Sequence, residues 1–343
     1  MPASAEVATT NDPPLVDSYC ALLLGGELGS SSGFVPAAQA LSAESLTVLQ
    51  RDLPTIDLKR LTSGDPRERD VCADAMASAA SEWGFFQPFD TKEKAELVDG
   101  SYRWGNPTAT SLRQLSWSEA FHVPLASICG EDCVHAQLSS LSLRGVMQEV
   151  ADAMSRVADT VAGTLAKNLG HAGSAFPAAA GCDGTTCFLR LNRYPLCPFA
   201  DTLGMVPHTD SDFLTIVCQD QVGGLEIMND SHWVAVKPHP DALVVNVGDL
   251  FQIGSVNYLF VSGMEQQKVQ ERGAQGGGQL QAERFSVAYF LCPSHDSLIG
   301  TYGKPSPYRP FTFGEYRRKV QDDVRQTGKK IGLPNFLKCS TIS

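Results

Sequence analysis

VPHTDSDFLTIVCQDQVGGLEIM, residues 206–228, is the stretch on which the fold turns. It holds two short extended runs, Phe213–Gln219 and Gly224–Met228, parted by turn residues. Outward from it the same texture continues. Thr186–Tyr194 comes before, and His232–Val236, Ala242–Val247 and Arg284–Leu291 come after. Short strands separated by turns at short intervals predict an antiparallel double-sheet barrel or sandwich.

Helices flank this β core. Val146, Val150, Met154, Val157, Val161 and Leu165 recur at three- and four-residue spacing, which predicts a helix over 143–169 with Gly170 as its stop. A second helix is expected over 69–84, running into Trp83-Gly84-Phe85-Phe86 and halted at Pro88. Leu53–Leu58 reads as a short strand and Phe313–Arg325 as a closing helix. Residues 1–50, rich in Ala, Ser, Gly and Pro, read as a loose leader with one short helix near Leu15–Leu24. The chain thus divides into a leader (1–50), a helical front (51–180), a β core (181–300) and a helical tail (301–343).

The 343 residues are 43% hydrophobic and 19% charged, ordinary for a folded chain, with net charge −11. That balance argues against nucleic-acid and membrane partners. The basic residues Arg317, Arg318, Lys319, Lys329 and Lys330 are interrupted by Asp322 and Asp323, and read as a solvated helix face. The ten cysteines form no CxxC pair, and no Lys or Arg precedes Arg51. Both features suit reduced thiols in a cytosolic or nuclear compartment.

Three pairs carry chemistry. His208 and Asp210, two apart on an extended strand, would project to one side. An imidazole and a carboxylate there offer two ligands to a divalent metal, and a second His would complete one face of an octahedron. A turn or surface role is the plain alternative. Arg284 and Ser286 likewise share a side, and a guanidinium fork beside a hydroxyl suits a carboxylate. A surface Arg and Ser would look the same. Asn192 and Tyr194 could face the same pocket, or Tyr194 could be a core residue.

In order and spacing these residues resemble the plant 2-oxoglutarate- and Fe(II)-dependent dioxygenases. The matching segments are LPTIDL, EWGFFQ, LRLNRYPLCP, VPHTDSDFLTIVCQDQVGGLEIM, WVAVKPHPDALVVNVGDLFQ and RFSVAYFLCP, between residue 52 and about residue 315. SYRWGNPTATSLRQLSWSEAFHVPL, residues 101–125, resembles the gibberellin 2-oxidases, in the branch acting on C20 gibberellins. The resemblance implies a double-stranded β-helix (jelly-roll) core. It implies His208 and Asp210 as Fe(II) ligands and Arg284 as partner of the 5-carboxylate of 2-oxoglutarate. Ser286, Tyr194 and Asn192 would complete that pocket. Ascorbate is implied as reductant, and inactivation of gibberellins by 2β-hydroxylation as the activity. Arg103, Trp104 and Phe121 are candidates for the substrate pocket, with core packing the plainer role for Trp104 and Phe121.

Two segments depart from that resemblance. The family has a third ligand His in a stretch resembling WSNxxYKSVEHRV after GDLFQ. Here no His lies between His239 and His295. His295 follows the Arg284 strand and is badly placed, and His232 and His239 read as surface or turn residues. Moving the reading frame one base forward over Met264 to Gln279 permits WSNKKYKSVEHRVVV, with the His arising across Ala274 and Gln275. Residues 253–279 therefore read as an out-of-frame or unspliced segment. Gln87 also runs directly into PFDTKEKA, where the family continues with a strand end and a long helix. With two ligands of three, weak iron binding is expected. The competing readings are a non-catalytic jelly-roll protein, a mis-spliced product, or an oxygenase of another plant small molecule.

Overall fold

The computed structural model describes residues 49–51, 55–57, 60, 64–83, 85–88, 102–105, 116–129, 141–168, 184–195, 203–229, 231–254, 269–271, 283–299, 307–327 and 330–338. The expected helix near Leu15–Leu24 lies outside them, as does the run that follows the Gln87 junction beyond Pro88.

The front comprises β1 (Leu49–Arg51), β2 (Thr55–Ile56), α1 (Pro66–Trp83), β3 (Phe85–Pro88), β4 (Tyr102–Trp104), β5 (Glu119–Pro124), α2 (Leu125–Cys129) and α3 (Leu141–Asn168). The β core comprises β6 (Phe188–Tyr194), β7 (Met205–His208), β8 (Leu214–Gln219), β9 (Leu225–Asn229), β10 (His232–Val236), β11 (Val244–Val247), α4 (Asp249–Gly254), β12 (Val269–Glu271) and β13 (Arg284–Leu291). The chain closes with β14 (Leu298–Ile299), β15 (Phe311–Thr312), α5 (Phe313–Thr327) and a 3₁₀ turn at Leu333–Phe336.

Two sheets face each other. The larger runs β2-β3-β11-β8-β13-β6-β5-β4 and the smaller β1-β10-β9-β12-β7. Pairings are antiparallel except β1 with β10 and β2 with β3. Strand alternation decides what each face does. Leu189 and Leu191 on β6, Leu214 and Ile216 on β8, Val245 on β11, and Tyr289 and Leu291 on β13 all enter the main apolar core. There they meet Met147, Ala151, Met154, Ala158, Val161 and Leu165 of α3. The Tyr289 hydroxyl reaches Ser155 Oγ on that helix at 3.3 Å. Fully burying one such Val, Leu or Met side chain contributes about 1.5–3 kcal/mol, so the heptad-like stripe of α3 is ample reason for it to lie flat on the sheet.

The other face of the large sheet turns inward. Val217 and Val244 on that face pack against Leu225, Ile227, Val234 and Val236 of the small sheet. The expected double-sheet core is thereby present, and it leaves an interior that the alternate residues of β6, β8, β11 and β13 line. Sequence periodicity placed α3, β10 and β13 closely. It missed β5, α2, α4 and the 3₁₀ turn, which are short or carry no clear period. Helix α1 starts at Pro66, three residues before the expected start, because Pro suits the first helical position.

Candidate metal and co-substrate site

A cavity of about 360 Å³ opens between the sheets and α5, with His208, Asp210 and Asn192 in its wall. Its geometry corrects one expectation at the start. Strand β7 ends at His208, and Asp210 lies in the loop beyond it, so the two are not on one strand. Their side chains converge all the same, with His208 Nε2 3.6 Å from Asp210 Oδ1. His208 Nδ1 lies 2.8 Å from the Val206 carbonyl, so a tautomer protonated there leaves Nε2 as the free donor atom.

Asp210 is held from behind. Its Oδ2 accepts from Thr215 Oγ1 at 2.7 Å and from Asn246 Nδ2. That engages one oxygen and leaves Oδ1 turned to His208. Desolvation opposes charge on both groups, yet their mutual attraction prevails. The His208 pKa is raised by the Asp210 carboxylate, and the Asp210 pKa is lowered by His208, Thr215 and Lys330. An imidazolium and a carboxylate that stabilise each other are what two metal ligands become when protons compete for the site. Asp212, 2% exposed, has its pKa pushed well up by burial and by the Asp210 charge. A Cβ on Gly248 would run into the Asp212 carbonyl and carboxylate oxygens, so only glycine admits this loop against the end of β11.

Arg284, Ser286, Tyr194 and Asn192 come together across two paired strands. Arg284 pairs with Tyr194 across β13 and β6, and Ser286 with Asn192. All four lie on the inward face, in line with Ala288 and Phe290 of the cavity wall. The Arg284 guanidinium is fully buried, sits 4.7 Å above the Tyr194 ring, and donates to Gln219 Oε1 at 3.2 Å. Asn192 Nδ2 donates to Ser286 Oγ at 3.2 Å. Gln219 Nε2 is buried with no hydrogen-bond partner among the described residues. A buried, unanswered N–H beside a buried guanidinium is costly, and a bound carboxylate would satisfy both. Arg284, Ser286 and Tyr194 continue the cavity's face rather than line the cavity itself, where Asn192 is the member of the set that reaches the wall.

The donor set fits a divalent metal through two protein ligands, His208 and Asp210. Among the described residues no group of three His, Cys, Asp or Glu could hold one. β12 runs antiparallel to β7 and puts Val269 opposite His208. The position across Ala274 and Gln275 lies outside the described residues. His232 and His239 are exposed, as expected. His295, also exposed, stacks on Phe313 with ring centroids 6.0 Å apart.

Two pocket groups were misread in the sequence. Arg317 lines the cavity from α5. Lys330 lines it too, and pairs with Asp249 Oδ2 at 2.9 Å with only 11% of its side chain exposed. A basic cluster was expected to be solvated, but burial here is set by the tail folding back, which charge pattern alone does not encode. Arg190 also faces the cavity, beside Asn192 on β6, and donates from Nε to Asn192 Oδ1 at 2.8 Å. Its alternation with Asn192 was the signal that would have found it. Phe121 pairs with Leu191 and packs into the core on the α3 side, so its place is structural and not in the substrate pocket. The side chains of Arg103 and Trp104 lie outside the described set.

A two-sheet β core with a His-x-Asp pair at one sheet and a buried Arg and Ser on a strand of the other defines the 2-oxoglutarate and Fe(II) oxygenase class, and the 2OG-Fe(II) oxygenase superfamily profile matches residues 185–293. Gibberellin 2-beta-dioxygenase 6 of Oryza sativa subsp. japonica is 60% identical, with all of both chains covered. Gibberellin 2-beta-dioxygenase 8 of Arabidopsis thaliana is 41% identical over 95% of this chain and 98% of its own length. A crystal structure of JOX2 in complex with 2OG, Fe and JA superposes with a TM-score of 0.64 at 26% identity, covering 84% of this chain and 90% of that one. The chain belongs to the gibberellin 2-beta-dioxygenase family.

Proposed function

We propose that this protein hydroxylates gibberellins at C2 on the β face, with C20 gibberellins as preferred substrates. The overall reaction consumes 2-oxoglutarate and dioxygen and releases succinate, carbon dioxide and the hydroxylated gibberellin. Fe(II), when bound, supplies the activation of dioxygen and the oxidation of the C–H bond. Ascorbate serves as reductant.

The single observation that carries the reading is the cavity itself. Its wall has an apolar part, to which Phe188, Val217, Leu225, Val244 and Phe290 contribute, and three cations, Arg190, Arg317 and Lys330, line it, the last paired with Asp249. A rigid hydrocarbon bearing a carboxylate suits such a wall, since apolar area gives affinity and a few polar groups fix orientation. His208 Nε2 and Asp210 Oδ1 hold the metal, and Thr215 and Asn246 keep the Asp210 carboxylate turned. Arg284 receives the 5-carboxylate of 2-oxoglutarate, with Ser286, Tyr194 and Asn192 beside it. The C20 preference rests on residues 101–125. The net charge of −11 and cysteines spaced without a CxxC pair support a cytosolic site of action, or a nuclear one. No described helix is long and apolar enough to cross a membrane.

A second reading has its own support. No His lies between His239 and His295, so a non-catalytic jelly-roll protein is the alternative for this chain as it stands. Purified protein supplied with Fe(II), 2-oxoglutarate, ascorbate and a C20 gibberellin separates the two. Gibberellin-dependent succinate and a 2β-hydroxylated product support the enzyme. Their absence, with product formed by a version carrying the frame-restored segment, supports the alternative.

A further inference from the structure

We propose that Lys330 is a positioning residue for the metal site, bracing the His208-Thr209-Asp210 loop from the C-terminal tail. The proposal rests on His208 and Asp210 being metal ligands. Thr209 stands between them. Lys330 Nζ donates to the Thr209 carbonyl at 2.8 Å and pairs with Asp249 Oδ2 at 2.9 Å. The same Asp249 oxygen accepts from the Tyr316 hydroxyl at 2.5 Å, and Asp249 and Tyr316 are both buried.

The geometry gives the loop a fixed seat at three carbonyls. Asp249 N donates to Asp210 O at 3.1 Å and Leu250 N to Asp212 O at 3.0 Å, so the first turn of α4 takes two of them. Lys330 takes the Thr209 carbonyl that α4 does not reach. A peptide unit is planar, so pinning that carbonyl orients the unit from Thr209 Cα to Asp210 Cα. That unit carries Asp210 N and Cα, so the brace acts on the direction in which the Asp210 side chain leaves the loop beside His208. The tail is shaped for this. Gly332 has φ +70, and a Cβ there would lie 3.2 Å from both Asp249 Oδ2 and Lys330 Cε and 3.4 Å from the Tyr316 hydroxyl. A tight left-handed turn therefore packs Lys330 and Asp249 together, and a lysine in this low-exposure setting is held by two partners rather than by water.

The test uses Co(II) as an oxygen-stable probe, titrated into the full chain. Lys330→Met should weaken Co(II) binding about 10-fold or more, the range for residues that orient ligands without touching the metal. Lys330→Arg, which keeps a donor and a charge, should recover most of the affinity. Lys319→Met is the control. It removes a comparable pair, Lys319 with Asp323 at 2.9 Å, within α5 and away from the loop. It should lower the melting temperature and leave the Co(II) affinity unchanged. Wild-type affinity in Lys330→Met, or equal losses in Lys330→Met and Lys319→Met, would overturn the role. A wild-type chain that takes up no Co(II) would instead overturn the ligand reading of His208 and Asp210, and the brace with it.

Discussion

Asp210 shows one oxygen to the cavity and gives the other to Thr215 and Asn246. That division turns a flexible carboxylate into a directed ligand. Asn246→Ala and Thr215→Val should each weaken Co(II) binding about 10-fold while leaving the circular dichroism spectrum unchanged. Arg284 makes a similar case for the co-substrate. Removing a buried guanidinium from a carboxylate forfeits a charge-assisted pair of about 1.5–3 kcal/mol. Calorimetry with Arg284→Gln should therefore show 2-oxoglutarate binding weakened by roughly 10- to 100-fold. Unaltered binding would remove Arg284 from that role. At this scale the sequence was largely legible. Two-residue spacing told which side chains share a face on β6 and β13, because alternation is a property of the backbone. It failed at Asp210, which leaves the strand yet still points the right way, since a loop obeys no period. It failed again at Lys330, whose partner lies 121 residues away.

Among the elements, α5 and the tail after it form a unit whose stability should follow pH. Asp323 is 2% exposed, pairs with Lys319 at 2.9 Å, and accepts from Asn335 Nδ2 at 2.6 Å. Burial opposes its charge, but Lys319 and Asn335 outweigh that and lower its pKa below 3.8. A carboxyl depressed on folding stabilises the native state above its unfolded pKa, and that stability is lost as pH falls through the folded value. Asp323→Asn should accordingly cost about 1 kcal/mol at pH 7, modest because Lys319 is half-exposed. The difference in urea midpoints should persist down to about pH 4 and close in stronger acid. A gap that stays constant into strong acid would mean the charge contributes nothing. Helices α3 and α5 were readable because long amphipathic stripes persist over several turns. β12 was not, because nothing in VQE marks a three-residue strand.

For the whole molecule, the decisive feature is the strand order. β12 fills the place between β9 and β7, directly beside His208. Whatever sequence occupies that slot brings its side chains next to His208, and Val269 now stands opposite. The alignment with the rice relative spans 372 positions against 343 residues here, so at least 29 of its positions have no counterpart in this chain. That supports the reading of missing and shifted segments after Gln87 and over 253–279. Sequencing the transcript should return WSNKKYKSVEHRVVV or a close variant in the shifted region. A chain rebuilt with it should bind Co(II) at least 10-fold more tightly than the present one, as a third ligand should exceed the effect of an orienting residue. A faithful transcript encoding GMEQQKVQERGAQGGGQ would retire the idea. The fold class survives either outcome, because it rests on the inward and outward faces of β6, β8, β11 and β13.

The Lys330 contact also sets an order of events during biosynthesis. Polypeptides emerge N-terminus first, and Thr209 is made 121 residues before the amine that caps its carbonyl. Every strand of the two large sheets is made before that amine, so the loop gains its last brace only after the residues of both sheets have been synthesised.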